Sequence, residues 1–276
     1  MTGRSDFGER NCDTMKHNKT VLSNGVTLLN GVEGECCIYL VEGSEKALVI
    51  DTGLGSADLR EEIEALTQLP YQVVNTHGHG DHTGGNPYFS TVYLSREAEP
   101  DARDSLSLNR PLLSTAEAER LERLMAAGGF EAQYLTDGFV FDLGDRRLEV
   151  IEIPGHTPGC VALLDKENRL LFSGDCVLKA MDILLVVPQA LSVNTYLASM
   201  KKLWERSGEF DFLCTGHDAY LVPKAFLGEV IQCCEAIVSG EAVGDDLELP
   251  PVFGDTHAKR LPCSDFAVAY RPNRIF

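Results

Sequence analysis

Three imidazoles and a carboxylate stand close together in the run Thr76-His77-Gly78-His79-Gly80-Asp81-His82. Imidazole nitrogen and carboxylate oxygen are the ligand atoms that zinc, iron and manganese take. Gly78 and Gly80 allow backbone angles that other residues resist, so the loop can turn its side chains toward one point. The glycines do not make a dinucleotide turn. Gly78, Gly80 and Gly84 miss the G-x-G-x-x-G spacing, and a phosphate turn has no use for the histidines. Three later segments each carry one more ligand type. They are Pro154-Gly155-His156-Thr157-Pro158-Gly159, Phe172-Ser173-Gly174-Asp175 and Cys214-Thr215-Gly216-His217-Asp218, and each follows a stretch that reads as a strand.

The elements that must gather these segments follow from period and punctuation. Residues 26–30, 36–42, 47–51, 71–76, 91–95, 139–142, 147–153, 161–164, 170–173, 210–215 and 265–270 read as strands, β-branched and apolar between Gly and Asn. Residues 56–67, 115–127, 193–206 and 223–239 carry apolar residues near the helical period. Ser56 is the expected N-cap of the first helix, and Gly128-Gly129 closes the second. Strands followed by helices occur twice, in two comparable halves. That order predicts an α/β fold of two sheets packed face to face with helices outside. Residues 96–133 are polar and charged, and are expected to form an insertion or lid over the site within one domain spanning 1–276. Residues 1–20 read as loosely ordered.

Composition narrows the function classes. The formal net charge of −18 over 276 residues disfavours nucleic acid, whose binding depends on Lys and Arg displacing counterions. No apolar run approaches the ~20 residues of a membrane span. The opening stretch MTGRSDFGERNCDTMKHNK lacks an apolar core, so a cytoplasmic location is the expectation. The nine cysteines include no C-x-x-C and are expected to be reduced and buried. The adjacent pairs Cys36-Cys37 and Cys233-Cys234 read as structural.

The His77–His82 run resembles the H-x-H-x-D-H signature of the metallo-β-lactamase superfamily, and the segments holding His156, Asp175 and His217 follow in that family's order. An early Asp before a Gly, here Asp51-Thr52-Gly53, belongs to the same pattern and supports the site without holding metal. The resemblance covers roughly residues 26–240. It implies an αββα sandwich of two mixed sheets flanked by helices, with the site at one edge of the sheets. It assigns His77, His79 and His156 to a first metal, and Asp81, His82 and His217 to a second, with Asp175 bridging. Two divalent ions are implied, zinc first, with iron or manganese as alternatives. A hydroxide between two cations stays deprotonated near neutral pH and attacks a carbonyl or phosphoryl centre. Asp81 is the candidate to take up the proton, and Thr76, Asp51 and Thr157 are candidates to orient the imidazoles.

Fold alone does not choose a substrate. The acidic surface argues against nuclease relatives, and the length leaves no room for a flavodoxin partner. A zinc β-lactamase often replaces a ligand by Cys or Asn, whereas here Cys176 only follows Asp175. Lys259-Arg260 is the only basic pair after Lys224, which disfavours a glutathione thioester. The expected reaction is hydrolysis of a small ester, thioester or lactone. The alternatives are a phosphodiesterase and, from another class, an iron-dependent sulfur dioxygenase. The apolar stretch 180–191 is read either as a pocket wall for a hydrophobic acyl group or as core or a dimer face. The tail 266–273 is read as a strand and turn that either completes the outer sheet or reaches a neighbouring subunit, where Tyr270 or Arg271 would touch substrate. A small-molecule substrate is expected, with no nucleic acid and no membrane, and a homodimer is left open.

Overall fold

A computed structural model describes residues 17–276, apart from 24, 57, 218 and 219. Of the stretch expected to be loose, residues 1–16 lie outside the described part, and Asn18–Ser23 is a strand.

The first sheet has seven strands in chain order: β1 (Asn18–Ser23), β2 (Val26–Asn30), β3 (Ile38–Glu42), β4 (Ala47–Ile50), β5 (Tyr71–Val74), β6 (Thr91–Leu94) and β7 (Glu131–Tyr134). β1 to β4 are antiparallel, and β4 to β7 run parallel. Parallel neighbours need crossovers, and helices supply them. α1 (Leu59–Leu66) links β4 to β5. Between β6 and β7 lie α3 (Glu99–Asn109) and α4 (Thr115–Ala126); a single helical turn, α2 (Gly80–Thr83), follows β5. Asp58, not Ser56, caps α1, its side chain accepting from the Glu61 amide. The end of the 96–133 segment is the strand β7. Its sequence EAQY lacks apolar alternation, which hid it.

The second sheet has the order β14-β13-β11-β10-β9-β8, made of β8 (Val140–Asp142), β9 (Arg147–Glu152), β10 (Val161–Asp165), β11 (Leu170–Gly174), β13 (Phe212–Thr215) and β14 (Tyr220–Pro223). Alternation along the strands divides the core. Leu28, Tyr39 and Ile50 meet Phe141, Phe172 and Cys214 between the sheets. Their neighbours Leu29, Leu40 and Val49 face outward onto Leu59 and Ile63 of α1, Ala102 of α3 and Leu121 of α4. On the far side, Ile151, Leu171 and Leu213 pack on α5 (Val193–Glu205) and α6 (Ala225–Ser239) through Met200, Leu203, Val230 and Cys234. The result is the αββα sandwich.

A third sheet, not foreseen from sequence, has the order β12-β17-β16-β15. It comprises β12 (Asp182–Leu185), β15 (Asp245–Glu248), β16 (His257–Pro262) and β17 (Ala267–Tyr270). The apolar 180–191 stretch therefore contains a strand, parallel to β17, with Ile183 and Leu185 buried. Tyr270 and Arg271 are buried structural groups in contrast to the reading that they reach substrate. The Tyr270 hydroxyl accepts from the Gly244 amide, and Arg271 donates to the carbonyls of Val186, Phe253 and Asp255 at 2.6–2.7 Å. The cysteines also depart from expectation. Cys233 in α6 is disulfide-bonded to Cys263 after β16, and six other described cysteines lie outside any disulfide and are buried. Among the described residues no helix is long and apolar enough to cross a membrane.

Candidate metal centre

After β5 the chain passes through His77 and Gly78 into α2, with His79 in the N-cap position. The glycines here serve a different purpose from the one expected. Neither Gly78 nor Gly80 has a positive φ. Both lie under α3 instead: a Cβ on Gly78 would run into the Ala98 carbonyl, and one on Gly80 into the Asn109 amide. Asn109 fixes that approach, its Nδ2 donating to the carbonyls of Gly80 (2.7 Å) and Leu54 (3.1 Å). His156 follows β9, Asp175 follows β11 and His217 follows β13. These three strands point the same way, because β9 and β11 flank antiparallel β10 and β13 runs parallel to β11. The seams between the sheets close beside the site, where Val161 N donates to Thr76 O and Cys37 N to Gly216 O.

All seven expected ligand residues meet at this edge, in two groups. Ligand atoms of His77, His79, His156 and Asp175 lie within 4.8 Å of one another, and so do those of Asp81, His82 and His217. Asp175 faces both. Its Oδ2 is 4.0 Å from His77 Nε2 and 3.8 Å from His156 Nε2, while its Oδ1 is 3.2 Å from His82 Nε2 and 3.5 Å from His217 Nε2. His79 Nδ1 lies 3.1 Å from His156 Nε2. Three of the converging atoms are buried without a hydrogen-bond partner: His77 Nε2, His82 Nε2 and Asp175 Oδ1. Buried polar atoms are normally paired. Orphans from three residues, with Asp175 between the other two, fit cations held by the two groups.

The far sides of the rings are held. Asp51 accepts from the Thr76 amide, the Thr76 hydroxyl and His82 Nδ1, each at 2.8 Å. It does so from a left-handed backbone with φ of +63°, a conformation that costs a non-glycine residue about 1–3 kcal/mol and persists where the surroundings over-determine it. The Thr76 hydroxyl also lies 3.1 Å from His77 Nδ1. Asp51 and Thr76 thus act as expected, whereas Thr157 does not, its hydroxyl and amide engaging Cys160 Sγ. His156 Nδ1 instead donates to the Leu184 carbonyl of β12 at 2.8 Å. A backbone acceptor has no signature in sequence. Cys36 is a second unforeseen neighbour, close to Asp51 and His82. Burial pushes its thiol well above the ordinary range, so it stays protonated.

The two groups differ electrically. Burial, reinforced by the neighbouring His156, drives His79 down to about 3, and burial likewise lowers His77 and His156. These rings are neutral at pH 7, with lone pairs free to donate. Burial also pulls His217 down, yet the Asp175 charge and the ring's pairing with the Asp175 and Asp81 carboxylates outweigh it and lift the ring to about 10. The carboxylate side of the site therefore attracts positive charge.

Residues 32–217 match the metallo-beta-lactamase superfamily, and the chain belongs to it. Among relatives, it is 39% identical over 160 residues to the human acyl-coenzyme A thioesterase MBLAC2, covering 51% of this chain and 57% of that protein. The Gallus gallus protein of the same name is 34% identical over 189 residues, covering 61% of this chain and 66% of that protein. The chain thus spans between about half and two thirds of the length of these curated relatives. Among solved structures, a metallo-beta-lactamase from Pontibacter korlensis superposes with a TM-score of 0.59 at 20% identity, covering 80% of this chain and 99% of that one. At that identity the likeness speaks to fold alone.

Proposed function

We propose that this chain is a metal-dependent hydrolase of acyl thioesters, with a two-cation centre at the edge of the sandwich. The observation that carries the metal reading is Asp175, which turns one oxygen to each group of ligands while His77 Nε2 and His82 Nε2 stand orphaned beside it. In this reading His77, His79 and His156 hold one cation, Asp81, His82 and His217 the other, and Asp175 bridges. The all-nitrogen-and-oxygen donor set suits zinc, with iron and manganese also within its range. The thioester comes from the names of the relatives and is the member of the ester, thioester and lactone group that they favour.

Cations held there supply Lewis acidity toward a carbonyl oxygen and lower the pKa of water to about 7. The chain's own groups do the rest. Asp51, Thr76 and the Leu184 carbonyl fix which nitrogen of His82, His77 and His156 points inward. Asp81 is the most exposed carboxylate of the set, 27% accessible against 10% for Asp175. In this reading Asp81, with Oδ2 3.1 Å from His217 Nε2, accepts the proton on the solvent side. No serine or cysteine nucleophile is required. The chain is read as one domain, 1–276, with the part of 96–133 that precedes β7 as its lid.

Elemental analysis of protein purified without added metal, beside turnover of an acyl thioester, tests the reading. About two equivalents of zinc, manganese or iron are expected, with activity and at least one equivalent lost in His79→Ala. A folded protein that takes up no metal sinks the metal centre. Two equivalents without thioester turnover sink the substrate alone.

A further inference from the structure

The lid segment and the 180–191 stretch are tied to each other directly beside the metal centre. Gln189 Nε2 donates to Asp101 Oδ1 at 3.0 Å, between the loop after β12 and the first turns of α3. Both ends of this bond rest on the site. On the α3 side, Asp101 lies over the residue between His77 and His79, since a Cβ on Gly78 would stand 2.9 Å from Asp101 Cβ. On the other side, the Leu184 carbonyl holds His156, and Leu191 N donates to Gly155 O at 2.9 Å. The loop is anchored from behind by the C-terminal arginines. Arg271 grips the Val186 carbonyl at 2.7 Å, and Arg274 those of Pro188 and Ala190 at 3.1 and 3.0 Å. The Gln189–Asp101 bond therefore joins the segment over Gly78, beside His79, to the segment that holds His156.

The chemistry of the bond fixes its polarity. A carboxylate only accepts, so the amide must present its N–H to Asp101. Gln189 Oε1 is left buried without a hydrogen-bond partner. The amide is therefore half satisfied, held to α3 by one bond, and a single part-buried bond of this kind opens at small cost.

We propose that Gln189 is a positioning residue of the substrate entrance: through Asp101 it sets the separation of the α3 wall from the 186–190 wall, and so governs how tightly substrate is held without touching the reacting atoms. The inference rests on the proposed thioester hydrolase. Loosening the walls weakens substrate binding and leaves the His and Asp cluster in place, so KM moves and kcat does not. A merely structural lesion does the reverse, lowering the active fraction and hence apparent kcat at constant KM.

The test is a double-mutant cycle on the full chain with Gln189→Glu, Asp101→Asn and the pair together. Gln189→Glu sets two carboxylates against each other. The pair restores a donor and an acceptor with the roles exchanged. Steady-state hydrolysis of an acyl thioester is measured together with hydrogen exchange of the α3 amides. The expected result for Gln189→Glu is KM raised roughly three- to tenfold at unchanged kcat, with faster α3 exchange, both largely recovered in the pair. Unchanged KM, a loss confined to kcat, or a pair no better than Gln189→Glu overturns the proposal. If the unmodified chain turns over no thioester, the functional reading fails by itself. The exchange data then still decide the tie, which stands if α3 loosens in Gln189→Glu and recovers in the pair, and falls otherwise.

Discussion

Asp51 concentrates the local argument in one side chain. It sits outside the proposed ligand set, in a left-handed backbone, and accepts three hydrogen bonds that fix His82 and the strand end before His77. Removing such a partner typically costs 10–100-fold in metal affinity or activity. Asp51→Asn keeps the shape but replaces one acceptor oxygen by N–H groups. A roughly 10–100-fold loss of metal affinity is expected, read by competition with a chelating dye. Unchanged affinity would show that the other contacts suffice to set the ring. Asp51 was readable in sequence through its place before Gly53 in the family pattern, as were the seven candidate ligands through residue type and order. The Leu184 carbonyl and Asn109 were not. The first offers only backbone, and the second acts across 29 positions on Gly80, with nothing local to mark it.

Among elements, β1 shows how a short edge strand is held without an apolar pattern strong enough to be read. Its entry is pinned by His17, whose Nε2 lies 2.7 Å from Glu35 Oε2 and whose Nδ1 lies 3.0 Å from Glu62 Oε1 on α1. Burial pulls the ring's pKa down, but hydrogen bonds and charge from Glu35 and Glu62 outweigh it and raise it above 6.5. A raised folded pKa means stability that is complete below the unfolded value near 6.5 and lost as pH rises through the folded value. The gap in melting temperature between the unmodified chain and His17→Gln should therefore be wider at about pH 6 than at about pH 9. A gap independent of pH would refute the charged pairing. The strands missed from sequence share a physical cause. β7, β14, β15 and β16 bury at most one side chain each, so period carries little information. β12 sits in a continuous apolar run, where strand, helix and pocket wall look alike. The strands that lead into the candidate ligands, β5, β9, β11 and β13, each bury at least two side chains and were all found.

At the level of the whole molecule, the Cys233–Cys263 disulfide fastens α6, on the outer face of the second sheet, to the turn that leads into β17. Closing a loop of 30 residues restricts the unfolded chain and typically contributes about 2–4 kcal/mol. Cys263→Ser, or reductant added to the unmodified chain, should lower the melting temperature to the same extent. A change with reductant but none with Cys263→Ser would place the effect on other cysteines.

The candidate ligands are divided between the sheets: His77, His79, Asp81 and His82 hang from the first, and His156, Asp175 and His217 from the second. A cation bound to both sets is thus also a clasp across the sandwich. Its affinity and the cohesion of the two halves become one linked equilibrium, and each factor by which free metal exceeds its dissociation constant is returned as resistance to unfolding. Chelation would then do more than silence the site. It would let the two halves part at a lower temperature, by an amount that rises with the logarithm of the metal withdrawn.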